Sequence, residues 1–270
     1  MNLDLITETQ WMWIWLFMSA FVGLAIGSFL NVVIYRVPNE MSLDSPPSQC
    51  LKCKKAIAWH DNIPLFSYIA LRGKCRNCQN KISLRYPMIE FLCAFVWVIT
   101  TLRLGLHIHT IGYNLFFSGL IALSVIDIDT KLLPKKIVYP TGAILIVFLT
   151  ISSISTGEYH RLRDSAIVAL AYSAFLFIVW FTSGGKAMGF GDVRLAVFLG
   201  FAMGYYGFIV SYLGMLASFC IGSIIGIAIA TITKGGRKMK IPFGPFLAAG
   251  TVLAIWFAPQ LSNLIQVTNV

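Results

Sequence analysis

Three aspartates and four cysteines are the groups in this chain whose types and spacing allow chemistry. Asp127 and Asp129 close one apolar run, in Val125-Ile126-Asp127-Ile128-Asp129-Thr130, and Asp192 opens another, in Gly189-Phe190-Gly191-Asp192-Val193. A carboxylate inside a bilayer costs roughly 3 kcal/mol unless it is paired, hydrated or protonated, so such a residue is read first as functional. Two carboxyls meeting in a low-dielectric site cannot both ionise easily. One keeps its proton while the other is a base, and together they can activate a water held between them to attack a carbonyl without a covalent intermediate. Gly189 and Gly191 suit such a site, because without side chains the backbone can bend and approach a substrate strand. Structural roles compete. Asp127 or Asp129 could be an interfacial cap beside Lys131, and Asp192 could cap the following helix or pair with Arg194. Asp129, the nearest to water, could orient Asp127 or be a bystander. A further intramembrane acid, Glu90, could pair with Arg85 or Arg72, or line a cofactor pocket.

Cys50-Leu51-Lys52-Cys53 and Cys75-Arg76-Asn77-Cys78 form two Cys-x-x-Cys pairs. Each tight turn presents two thiolates on one side, and two such turns complete the tetrahedral sulfur shell that Zn²⁺ accepts. Four protein ligands leave no position open for water, so the metal would be structural. Two disulfides, or a redox pair, are the competing readings. Cys93 and Cys220 lie in apolar runs and read as small buried hydrophobes. His60, His107, His109 and His160 are scattered and form no His-Glu-x-x-His motif.

The elements that position these groups follow from composition. The 270 residues are 57% hydrophobic and 12% charged, with a mean hydropathy of +0.77, which excludes an ordinary soluble domain. The chain reads as an all-α integral membrane protein with about eight spans, near 11–35, 87–105, 111–128, 137–154, 165–183, 193–206, 208–233 and 242–265. The sixth is short and runs into Gly204-Tyr205-Tyr206-Gly207, as a half-span or re-entrant piece would. The first lacks a basic region ahead of it and reads as a retained span, not a cleavable signal. Residues 1–35 are then the first helix, 36–86 a cytoplasmic zinc-binding domain, and 87–270 a membrane catalytic domain.

Charge orients the spans. Eighteen of the 21 Lys and Arg fall in the loops 36–86, 129–136, 184–194 and 234–241, the last carrying Lys234, Arg237, Lys238 and Lys240. Only Arg103, Arg161 and Arg163 lie on the other side. The positive-inside rule therefore puts the N-terminus outside and places Asp127 and Asp192 at similar depth on the cytoplasmic side. The net charge of +10 is thus a topology signal that also holds loops near anionic lipid. Nucleic-acid binding is the poorer reading, since no basic folded domain stands apart.

Four further runs stand in order along the chain: GSFLNVVIYR at 27–36, WHDNIPL at 59–65, RGKCR at 72–76, and ISLRYP at 82–87 followed by Glu90. With the aspartate and cysteine motifs they resemble the bacterial type IV prepilin peptidases (prepilin leader peptidase/N-methyltransferases), which are GxGD-type aspartic proteases. Asp127 ahead of Leu133-Pro134 resembles the first catalytic motif of the family, and Gly189-Phe190-Gly191-Asp192 the second. His60 stands where many members have an aromatic residue. The resemblance implies that Asp127 and Asp192 are catalytic and that the leader of a pilin or type II secretion pseudopilin is cut after Gly, at the inner membrane. The four cysteines and residues 59–64 match members that also methylate the new N-terminus with S-adenosylmethionine, and no Gly-rich Rossmann fingerprint is present to hold that donor. A peptidase without the second activity is the alternative. An ion-coupled transporter is the rival from another class, and no internal repeat supports it.

Overall fold

A computed structural model describes the backbone of residues 3–232 and 242–268, and the side chains of 12–232 and 242–261. The basic residues 234–240 of the expected last loop lie outside the described residues. The architecture is all-α. Its helices are α1 (Leu3–Arg36), α2 (Phe66–Ala70), α3 (Arg85–Leu104), α4 (Ile108–Thr130), α5 (Lys135–Thr156), α6 (Tyr159–Thr182), α7 (Phe190–Gly204), α8 (Phe208–Ile232) and α9 (Gly244–Thr268). No strand occurs among the described residues, only two isolated bridges.

Seven helices, all but α2 and α7, are long and apolar enough to cross a membrane. Their outward side chains are apolar, among them Phe17 and Phe21 on α1, Leu170 and Phe181 on α6, and Ile224 and Ile227 on α8, which is the reverse of a protein bathed in water. The chain is a multi-pass membrane protein. The sixth expected span is α7, whose 15 residues reach only about 22 Å at the helical rise, short of a hydrocarbon core about 30 Å thick. Gly207, at a φ of 99°, turns the chain out of α7 and into α8.

The chain divides into two compact units, Met1–Leu102 and Arg103–Val270. In the first, α1 and α3 run antiparallel in close contact. Ser19 meets Thr101 hydroxyl to hydroxyl at 3.0 Å, and Asn31 Nδ2 donates to the Tyr86 carbonyl at 3.2 Å. Between them, Gly23 and Gly27, one turn apart, let the backbones approach. A Cβ on Gly23 would lie 2.7 Å from Ala94 Cα, and one on Gly27 would lie 2.7 Å from Glu90 Cα. Small residues at this spacing drive helix pairing in lipid, where hydrophobicity alone does not distinguish neighbour from solvent.

The second unit repeats the device. Gly200 and Gly204 of α7 press on α6, where added methyl groups would sit 2.8 Å from Ala169 Cα and 2.7 Å from Ser165 Cα. Gly142 of α5 accommodates the Phe198 ring of α7, and Gly250 of α9 accommodates Ser218 of α8. Short α7 is thereby gripped on two sides. Its N-terminus, which carries Asp192, is fixed by packing in place of its own length.

Candidate active site and metal centre

Asp127 and Asp192 are both almost wholly buried, 5% and 6% exposed, whereas Glu40, Asp44 and Asp129 are exposed. Asp127 sits in the last turn of α4. Lys131 ends that helix in the left-handed conformation (φ 57°), its amide donating to the Asp127 carbonyl at 2.8 Å, and Pro134 caps α5. Asp192 is the third residue of α7 and reaches back to the helix start, where the Gly189 amide donates to its Oδ2 at 3.1 Å. That is the carboxylate half of a capping box. The capping role expected of Asp192 is thus present. Arg194 does not supply a counter-charge; its guanidinium stacks on Phe190 at 4.7 Å.

The two carboxyls lie within electrostatic reach of each other. Leu133 shows how closely their helices converge. A methyl on Gly191 would come 3.0 Å from Leu133 Cβ, and one on Gly244 would come 3.3 Å from Leu133 Cδ2 and 2.8 Å from Asp127 Oδ2. The Gly244 amide, at the start of α9, donates to that same Oδ2 at 3.0 Å. Each aspartate thus has one oxygen fixed by the amide at a helix N-terminus, where the positive end of the helix favours a carboxylate. Neither Oδ1 has a protein hydrogen bond among the described residues. The arrangement is two oriented acids, each with a free oxygen, in a site from which bulk water is largely excluded.

Gly244 was not singled out by the sequence reading. Its signal was local: Pro242-Phe243-Gly244-Pro245 puts a glycine between two prolines where a helix begins, a place where a side chain is absent for a reason. The two glycines of the Gly-x-Gly-Asp run differ in role. A methyl on Gly191 would crowd Leu133 Cβ at 3.0 Å, whereas one on Gly189 would meet nothing nearer than Asp192 Oδ2 at 3.6 Å. Asp129 is exposed at the end of α4. Glu90, in the first unit, accepts from the Leu65 amide at 2.8 Å and from the Ser28 hydroxyl.

The four cysteines of the first unit come together as two copies of one knuckle. In each, the residue after the second cysteine, Lys54 or Gln79, is left-handed at φ 59° or 56°, and its amide donates to the carbonyl of the first cysteine at 2.9 or 3.0 Å. The flanks pair as Gln49 with Ala56 and Lys74 with Lys81. All four Sγ atoms lie within 4.8 Å of one another, and Cys50 and Cys78 are 3.8 Å apart. A tetrahedral zinc with Zn–S of about 2.3 Å requires S···S of about 3.8 Å, so the donor set fits that ion. Backbone amides of Cys53 and Lys52 lower the Cys50 thiol to about 6. Cys78 is pushed up to about 11: the Asn80 amide lowers it, and desolvation with three neighbouring thiols outweighs that. Four sulfurs so close cannot all ionise without a cation among them. Arg76, inside the second knuckle, clamps Asp61 with two bonds of 2.7 and 2.6 Å, which holds the Asp61 carboxyl below the usual carboxylate range.

The family model described as Bacterial Peptidase A24 N-terminal domain matches residues 21–104, and that described as Type IV leader peptidase family matches residues 114–230. A Pseudomonas putida protein named prepilin leader peptidase/N-methyltransferase is 32% identical, over 87% of this chain and 88% of its own. Proteins of the same name from Stutzerimonas stutzeri (34% identical, 87% and 88% covered) and Aeromonas hydrophila (32%, 90% and 91%) are similar over the same extent. No solved structure matches. With both family models in order along the chain and relatives alike over 87% of it, the chain belongs to the type IV leader peptidase family.

Proposed function

We propose that this protein is a membrane aspartic endopeptidase that removes the leader of type IV prepilins or type II secretion pseudopilins after Gly, and that it then methylates the new N-terminal residue. The observation that carries the first activity is the buried pair Asp127 and Asp192, each held by a backbone amide with its second oxygen open. In that site one carboxyl retains the shared proton while the other accepts a proton from a water lying between them. The protonated partner hydrogen-bonds the scissile carbonyl, and the tetrahedral intermediate collapses as the leaving amine takes a proton back. Gly191 lets the peptide backbone come close. The relatives' shared name supports the substrate class and the second activity.

The distribution of Lys and Arg supports an inner-membrane protein with its N-terminus in the periplasm and its knuckles and aspartates toward the cytoplasm. There a basic leader rests among anionic headgroups while its hydrophobic helix stays in lipid. Residues 36–86 act as a domain in which Cys50, Cys53, Cys75 and Cys78 would hold a structural zinc. Such an ion would supply rigidity to a loop with too little apolar core of its own. Incubating the purified protein with a prepilin and S-adenosylmethionine tests both activities by mass. Expected are a free leader ending in Gly and a mature chain carrying one added methyl group. Intact prepilin would refute the peptidase reading, and a cleaved but unmethylated chain would leave a single-function enzyme.

A further inference from the structure

The first unit contains a cavity of roughly 450 Å³ that opens beside a smaller one of roughly 140 Å³. The two share walls: Ser28, Val32 and Arg36 of α1, and Pro46, Ser48 and Asn62 of the following loop. Together they fall within the about 300–1,000 Å³ typical of small-molecule sites. The aspartate pair has no part in them.

Two buried charges face this space. Glu90, 9% exposed, lines the smaller cavity and is held by neutral donors only, the Leu65 amide and the Ser28 hydroxyl. Leu65 makes that bond from φ 58°, ψ −49°, a backbone conformation that a residue with a side chain rarely adopts. Arg36, 7% exposed, lines both cavities and donates to the carbonyls of Ser42, Leu43 and Pro46 at 2.9, 3.1 and 2.6 Å. Those three bonds leave its Nε–H and one Nη2–H for a ligand. At the mouth, Asp44 is exposed and takes the Ser42 hydroxyl at 3.1 Å. Buried charges without ionic partners are expensive, and a ligand carrying both signs would neutralise both. Asn31 and Asn62 add amide donors and acceptors, and Phe29 and the prolines add flat apolar faces.

We propose that this cavity binds the methyl donor, a sulfonium nucleoside of the S-adenosylmethionine type, with Glu90 against its cationic end and Arg36 against its carboxylate. The inference rests on the methyltransferase reading above. A donor of this class joins two positive centres, one carboxylate, a ribose diol and a flat base, which is the mixture of groups these walls complement. Leu51 of the first cysteine knuckle also lines the smaller cavity, so the metal-organised loop forms part of the same wall.

The test is calorimetric titration of the full-length protein in detergent with S-adenosylmethionine. Glu90→Gln should weaken binding roughly tenfold or more, the loss of one charge-assisted contact. Ser48→Trp, which fills the shared wall while leaving Glu90 and Arg36 in place, should abolish binding, with unchanged zinc content reporting an intact loop. Binding that survives both substitutions at full strength would overturn this location alone. No binding by the unaltered protein would overturn the methyltransferase reading and this inference with it.

Discussion

The Gly244 amide donates to Asp127 Oδ2 at 3.0 Å, although the two residues are 117 positions apart. The start of α9 therefore belongs to the aspartate site as fully as the end of α4 and the start of α7. Its part there is to position Asp127, because its amide fixes one carboxyl oxygen.

Gly244→Ala should follow from that contact. The added methyl would lie 2.8 Å from Asp127 Oδ2, so the carboxyl has to move. A displacement of about 1 Å at a reacting group lowers turnover about 100-fold. Steady-state cleavage of a prepilin should show the loss in kcat, with KM close to that of the unaltered enzyme.

The glycines ahead of Asp192 should separate in the same assay. Gly191→Ala drives a methyl to 3.0 Å from Leu133 Cβ and should reduce kcat by at least about tenfold, whereas Gly189→Ala meets no neighbour within 3.4 Å. The latter exchanges one N-cap residue for a poorer one and should cost no more than about 1 kcal/mol of stability. Equal damage from both would mean that backbone freedom at 189, and not space at 191, governs the site.

Metal binding at the knuckles should release protons. Cys78 is protonated at neutral pH, its thiol lying at about 11, while Cys50, at about 6, is largely ionised already. Zinc needs all four as thiolates, so its affinity should rise with pH and fall as acid restores the protons. Titration in buffers of different ionisation enthalpy measures the release. About one equivalent of zinc should be found per chain and lost in Cys75→Ser/Cys78→Ser.

Local spacing made much of this molecule legible. The cysteine pairs were readable because each knuckle is a turn of a few residues with its own hydrogen bonds, and the short α7 because Gly204 and Gly207 bound it. Asp127 and Asp192 stood out because each interrupts or borders an apolar run. What the chain order concealed was tertiary: Gly244 reads only as the beginning of a last helix until α9 meets α4. The cavity beside Glu90 is likewise assembled from α1, its following loop and α3, no one of which carries a binding motif.

In the shared-proton mechanism Asp127 and Asp192 hold a single water between them, and neither carboxyl is dispensable. Cleavage of a purified prepilin by Asp127→Asn and Asp192→Asn, read by mass, tests this most directly. Both variants should bind the substrate and leave it uncut. Leader release by either one at the rate of the unaltered enzyme would contradict the mechanism.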